Sequence, residues 1–286
     1  MRYESPATTK EAVALLAKEK GQAFVLAGGT DLLVRMKTGQ IEPALIVDIK
    51  RIPEMTAITA TRTGFRIGAA VTGAQLLAHR GLCKSWPGVV EATNLIGSDQ
   101  IQGRCSMVGN LCNASPAADS VPAMIAARAK AIIVSAGGRR KILVEKIVTG
   151  PGRTSLKKGE LIEAIELPAP AKRCADAYLR FTPRTEMDIA VVGVSISLTL
   201  ERGVVAKARV CLGAVAPTAI LVPAAASALV GSKLDDAALA KCAAACSNAC
   251  SPLDDKRGTV AFRTRVAGVL ARRAAKIAYQ RAGGAA

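Results

Sequence analysis

The chain has 286 residues, half of them hydrophobic and 21% charged, which suits packed cores for more than one domain and argues against wholesale disorder. A single histidine, His79, excludes multi-histidine metal sites and helical HExxH chemistry, and leaves one candidate base for any Ser–His or Cys–His arrangement. The 39 basic and 22 acidic residues give a formal charge of +17; aromatics at 3% of the chain offer little for base stacking, so a basic protein-docking surface fits at least as well as nucleic acid.

From the N-terminus, Thr8 stands as a helix cap with Glu11 in the capping-box position, ahead of a short amphipathic helix ending at Gly21. The charges at Glu4, Lys10, Glu11, Lys18 and Glu19 interrupt any apolar run, so this segment reads as a helix start and not a signal peptide. A strand at 24–27 runs into Gly28-Gly29-Thr30-Asp31, a helix or turn follows at 32–36, and a second strand lies at 44–49. A hairpin at 57–69 and a helix at 72–79 come next. A second hairpin spans 131–144 across Gly137-Gly138, and an alternating strand over 159–168 is stopped by Pro168. Pro168-Ala169-Pro170-Ala171-Lys172 is the linker candidate.

Beyond it, strands at 190–200 and 204–215 precede alanine-rich helices at 235–250 and 259–280. The uncharged stretch 210–232 holds Gly213, Pro217 and Pro223, and reads as a buried strand, a turn and a helix start, not a membrane span. No CxxC pair occurs among the eight cysteines, and their density is far below that of a disulfide scaffold, so reduced thiols and a cytoplasmic setting are expected. The class is α+β with a boundary near 170.

The dinucleotide fingerprint GxGxxG and the Walker pattern are both absent. Two other glycine segments stand out. Paired glycines at the end of a strand, Gly28-Gly29, let successive backbone amides converge on an anion, with Thr30 as a further donor; a tight strand-to-helix turn is the plainer reading. The second segment, Ser106 to Ala123, is apolar enough for burial yet crowded with Ser, Asn and Asp, which implies dense turn chemistry or a ligand rich in hydroxyls and phosphates.

In this order and spacing the two segments, AGGTDLL and SMVGNLCNASPAADSVPA, resemble the FAD-binding medium subunits of molybdenum hydroxylases, the xanthine and carbon monoxide dehydrogenase family. The resemblance extends to Gly159–Ile162, to Tyr178–Ala190 and to Asp255–Arg263, and so covers nearly the whole chain. It implies a two-part flavin domain of the vanillyl-alcohol-oxidase type at 1–170, with parts near 1–55 and 56–170, and a smaller α/β domain at 173–286. It also implies FAD on this chain, [2Fe–2S] clusters on a small partner, molybdopterin on a large one, and an external electron acceptor, in a heterotrimer or a dimer of heterotrimers. Carried over by position, the contacts are Leu26, Ala27, Gly28, Gly29, Thr30, Asp31 and Leu32 at the pyrophosphate. Ser106, Gly109, Asn110 and Ser115 face them from the second segment. Asp119 would meet cofactor hydroxyls or ring N–H, and Ile162 and Arg180 would lie by the isoalloxazine.

Two positions depart from the family pattern. Val108-Gly109 replaces a double glycine, so the valine should point away or the approach loosen, and Arg180 stands where relatives often carry Lys, a flat fork in place of a point charge. Cys242, Cys246 and Cys250 recur every four residues and read as a small-residue packing stripe before an iron–sulfur site. His79 reads as a helix-end residue, and the seven Lys or Arg from Arg257 onward, with no acid among them, as a solvated or partner-docking helix face. A stand-alone flavin oxidoreductase and a basic RNA-binding protein are the competing readings.

Overall fold

In the computed structural model, which describes residues 1–284, the chain opens with β1 (Arg2–Glu4), α1 (Thr9–Lys18), β2 (Ala23–Leu26), α2 (Leu32–Lys37) and β3 (Leu45–Asp48). Thr8 caps α1 by accepting the Glu11 amide at 3.2 Å, while the Glu11 carboxylate accepts the amide of Ala7, one residue ahead of the capping-box position. The expected β–turn–helix–β unit forms, with β2 parallel to β3. Three-residue β1, too short to show a pattern, adds a parallel strand on the other edge, giving the order β1-β3-β2.

Next come β4 (Ile58–Thr61), β5 (Gly64–Gly68), α3 (Gly73–Ala78), α4 (Arg80–Ser85), α5 (Pro87–Asn94), α6 (Asp99–Gln102), α7 (Met107–Asn113), α8 (Ser120–Ala126), β6 (Lys130–Ser135), β7 (Gly138–Leu143), β8 (Val148–Gly150), β9 (Arg153–Thr154) and β10 (Leu161–Pro168). Both expected hairpins, β4–β5 and β6–β7, join through β10 into an antiparallel sheet of order β4-β5-β10-β6-β7. Central β10 is buried on both faces from Leu161 to Ile165, so the alternation read from sequence is not an alternation of exposure. The charge within it, Glu163, sits at a bulge in the β10–β6 register and is answered by Arg66 at 3.1 Å and Arg139 at 2.8 Å. The segment 106–123 is largely helical, because its polar residues serve the backbone and each other: Ser106 caps α7, Asn110 ties α7 to α8 and Ser115 holds the turn between them. His79 ends α3 and caps α4, its Nδ1 accepting the Leu82 amide at 3.1 Å.

The chain then forms β11 (Cys174–Phe181), β12 (Val192–Glu201), β13 (Val204–Gly213), β14 (Ile220–Leu221), α9 (Pro223–Leu229), α10 (Asp236–Asn248) and α11 (Val260–Arg281), the strands making an antiparallel sheet in chain order. The helices pack on it around a second hydrophobic core, separate from the one the N-terminal elements share. Cys242 and Cys246 are fully buried in that core, and the alanines of α11 line it while Arg265, Arg272, Arg273 and Lys276 face outward. Strand β11, whose charged residues hide it in the sequence, builds the seam between the two cores. Its alternate residues Asp176 and Tyr178 are buried, and the Arg180 side chain is 6% exposed. Asp176 accepts the Gly88 and Val89 amides at 3.0 and 3.1 Å, capping α5 from the other side of the seam. Arg281 of α11 donates to the Asp176 carbonyl and pairs with Glu91 of α5.

Burial pushes the Asp176 carboxyl up to about 7 from a usual 3.8, against the pull of the two amides and Arg281. A native carboxyl that keeps its proton to about 7 while the unfolded one releases it near 3.8 lowers stability as pH rises through that window. The wild-type chain should therefore lose thermal stability relative to Asp176→Asn between those two pH values. A gap that stays constant across the range would show that Asp176 ionises as an ordinary carboxylate.

Candidate functional site

At the carboxyl end of the parallel sheet, β2 releases the chain into the loop Ala27–Asp31 before α2 begins. Open α/β sheets place ligands at this end. A cleft of about 330 Å³ lies between this loop, α7 and the start of β10. Ala27, Gly28, Gly29, Thr30, Asp31 and Leu32 line one side, and Ser106, Gly109 and Asn110 the other. Ile162 and Leu161 contribute from β10.

Among the described residues, the amides of Gly28, Gly29, Thr30 and Asp31 donate to no protein acceptor. Consecutive unpaired amides in a loop that ends at a helix start form a concavity suited to an anion. The two glycines serve different ends. A Cβ on Gly28 would lie 1.9 Å from the Arg104 carbonyl oxygen, so this residue lets two backbones touch. Gly29 has φ +79°, the left-handed conformation that glycine adopts without strain.

On the opposite wall, Ser106 caps α7 by accepting the Gly109 amide at 3.0 Å. Asn110 accepts the Ser120 hydroxyl at 2.7 Å, tying α7 to α8. Asn113 donates to Asp31 at 3.1 Å and clasps the two walls together. Asn113, Arg35, Cys105 and Cys112 also line the cleft. Asn113 and Cys112 lie inside the second glycine segment, and Cys105 and Arg35 just outside the two segments, so these four were within reach of the sequence, whereas Thr154 and Leu156, which line it too, carry no such signal. Val108 is 6% exposed and packs in the first core, yet it still contributes to the wall and does not leave it.

Four expected residues stand behind the wall. Leu26 is buried in β2, and Ser115 holds a turn by accepting the Ala117 amide at 3.2 Å. Asp119 accepts the Tyr178 hydroxyl and Arg180 Nη1, each at 2.8 Å. Burial pushes its carboxyl up to about 6, while Arg180 and Tyr178 pull the other way. Arg180 thus enters the site as half of a buried ion pair across the seam and not as a free cation.

Comparison with known proteins adds a separate line of argument. Residues 1–170 match the model of the FAD binding domain in molybdopterin dehydrogenase, and residues 177–278 that of the CO dehydrogenase flavoprotein C-terminal domain. The carbon monoxide dehydrogenase medium chain of Hydrogenophaga pseudoflava is 30% identical over 279 residues, covering 98% of this chain and 97% of that one. The xanthine dehydrogenase FAD-binding subunit of Escherichia coli O157:H7 is 33% identical over 220 residues, 76% of this chain and 75% of its own length. Among solved structures, reconstituted CO dehydrogenase from Oligotropha carboxidovorans superposes with a TM-score of 0.94 at 32% identity over 98% of both chains.

The two glycines of the first loop should respond differently to alanine. Gly29→Ala should cost about 1–2 kcal/mol, the strain of a left-handed alanine. Gly28→Ala should cost more, because its Cβ meets the Arg104 backbone, which has no rotamer to turn aside. Thermal or denaturant unfolding of the two variants checks the order; a reversed order would mean that the 27–31 loop and the 104–105 backbone do not touch.

Proposed function

The chain belongs to the family of FAD-binding medium subunits of molybdenum hydroxylases, and from that premise we propose that it is the electron-transferring flavoprotein component of a heteromeric dehydrogenase. Electrons arrive from [2Fe–2S] clusters on a small partner, derive from a substrate oxidised at molybdopterin on a large partner, and leave to an external acceptor. The cleft supports this reading through one observation above all: the row of unpaired amides at Gly28–Asp31, in residues that line the cleft opposite α7. These residues fit a flavin dinucleotide. Bound FAD supplies the exchange of electrons between two-electron and one-electron carriers.

The protein's own part is to hold and to shield. The Ala27–Leu32 loop receives the diphosphate, with Thr30 as an additional donor. Gly109 and Asn110 close on the ribityl and phosphate region. Ile162 lies by the ring through its backbone. Asp119 and Arg180, bonded to each other, steady the turn after α7 against β11. Their opposite charges largely cancel toward the cleft, so the ring should feel less than a free guanidinium would impose.

Residues 1–170 constitute the flavin domain on this reading, in parts near 1–55 and 56–170, and 173–286 the C-terminal domain. The outward basic face of α11 is the docking surface for acidic partner surfaces, in a heterotrimer or a dimer of heterotrimers. No helix of the described residues is long and apolar enough to cross a membrane, and the cysteines among them are free thiols, which accords with a cytoplasmic setting.

Gly109 allows a clean test. A Cβ there meets only Ser106 Oγ at 3.2 Å, and the position lies in a helix, where glycine is the weaker former. Gly109→Leu should fold and reach into the cleft. The purified wild-type chain should show bound-flavin absorption and the leucine variant little or none. A folded leucine variant with stoichiometric flavin would place the cofactor elsewhere.

The isolated wild-type chain, carrying flavin, should oxidise no aldehyde or aromatic heterocycle. Turnover by the single chain would favour a stand-alone oxidoreductase.

A further inference from the structure

The loop between β2 and α2 is fastened by a lysine outside both glycine segments. Lys50, two residues past the end of β3, donates from Nζ to the Ala27 carbonyl at 3.0 Å and to Asp48 Oδ1 at 2.8 Å. Its amide donates to the same Asp48 oxygen at 3.0 Å, and Asp48 Oδ2 accepts the Tyr3 hydroxyl at 2.5 Å. Asp48 is 6% exposed. Burial alone would raise its carboxyl; the bonds from Lys50 and Tyr3 outweigh that and hold it below the usual carboxylate range. The three parallel strands of the first sheet thus have their tie at one ionised carboxylate, with β1 giving Tyr3, β3 giving Asp48, and the exit of β2 reached through Lys50.

This tie decides which way the loop's peptides face. A trans peptide is planar with C=O and N–H on opposite sides, and no peptide bond among the described residues is cis. Holding the Ala27 carbonyl at Lys50 therefore turns the Gly28 amide away from Lys50. One peptide earlier, the Ile49 amide holds the Leu26 carbonyl at 3.1 Å. On the far side, Leu33 and Arg35 of α2 take the Gly29 and Asp31 carbonyls, both at 3.0 Å. The Ala27, Gly29 and Asp31 carbonyls are thus held by the protein, while the amides of Gly28 to Asp31 are left open. Were the Ala27–Gly28 peptide released, glycine's wide conformational range would let it turn over and offer a carbonyl where an anion needs a donor.

We propose that Lys50 is a positioning residue for diphosphate recognition: by holding the Ala27 carbonyl it presents the Gly28–Asp31 amides to the diphosphate ester of the ligand. The inference rests on the flavin reading above and narrows it, because it assigns Lys50 to the diphosphate and not to the ring.

The test titrates the full chain, stripped of flavin, with FAD, with ADP, which carries the diphosphate without the ring, and with riboflavin, which carries the ring without phosphate. Lys50→Met should weaken FAD and ADP by about tenfold or more, the scale of one charge-assisted hydrogen bond, and leave riboflavin unchanged. Lys50→Arg, which keeps a cation and its donors, should recover most of the loss. Wild-type-like FAD and ADP binding by Lys50→Met would overturn the assignment, and so would an equal loss for riboflavin, which marks a structural role only. Should Lys50→Met fail to fold, Tyr3→Phe decides, since it removes one bond from Asp48 and leaves the lysine in place. It should give a smaller loss confined to FAD and ADP, and no such loss would overturn the proposal. A wild-type chain that binds none of the three probes rejects the flavin reading itself, a result separate from failure at Lys50.

Discussion

A backbone amide without a partner costs free energy wherever water does not serve it, and four in succession, at Gly28 to Asp31, line the same cleft. Much of the N-terminal half can be understood from that constraint. The parallel order β1-β3-β2 brings the exit of β2 beside the exit of β3, where Asp48 and Lys50 gather the loop's carbonyl side. Gly28 lets the loop touch the backbone at Arg104, which brings α7 up as the opposing wall. The two walls are bridged at Asn113 and Asp31, and between them lies a cleft of about 330 Å³ with open amides on one side, which suits a negatively charged ligand.

The C-terminal half supports that cleft from outside. One strand face of β11 sets Asp176 on the N-terminus of α5 and Tyr178 and Arg180 on Asp119, so the turn following α7 is held by groups from the C-terminal sheet. Buried carboxylates of this kind contribute little net stability beyond what an apolar replacement would give, but leaving one without its partner is costly. Their effect here is geometric: the seam has one register, and the cleft wall follows it.

Much of this was legible in the sequence, and the failures have physical causes. The β2–loop–α2–β3 unit, the hairpins, the last two helices and both glycine segments follow from apolar period, capping residues and paired glycines. The segment 106–123 hides two helices because Ser106 and Asn110, read there as ligand groups, also serve as a cap and an interhelical tie. Strand β11 is masked by Asp176 and Arg180, charges whose partners lie far away in sequence. The position of Arg180, carried over from relatives with lysine, leaves out Asp119, and the pairing changes a free cation into a compensated one. Lys50 escaped notice because its acceptor is a backbone carbonyl 23 residues earlier, which no side-chain pattern records.

The central claim is that the Gly28–Asp31 amides bind the diphosphate of FAD. A crystal structure of the full chain with FAD bound tests it most directly. The account predicts diphosphate oxygens within hydrogen-bond distance of those amides, with the Lys50–Ala27 bond retained behind them. A diphosphate bound at another surface, with the loop amides facing only solvent, would contradict it.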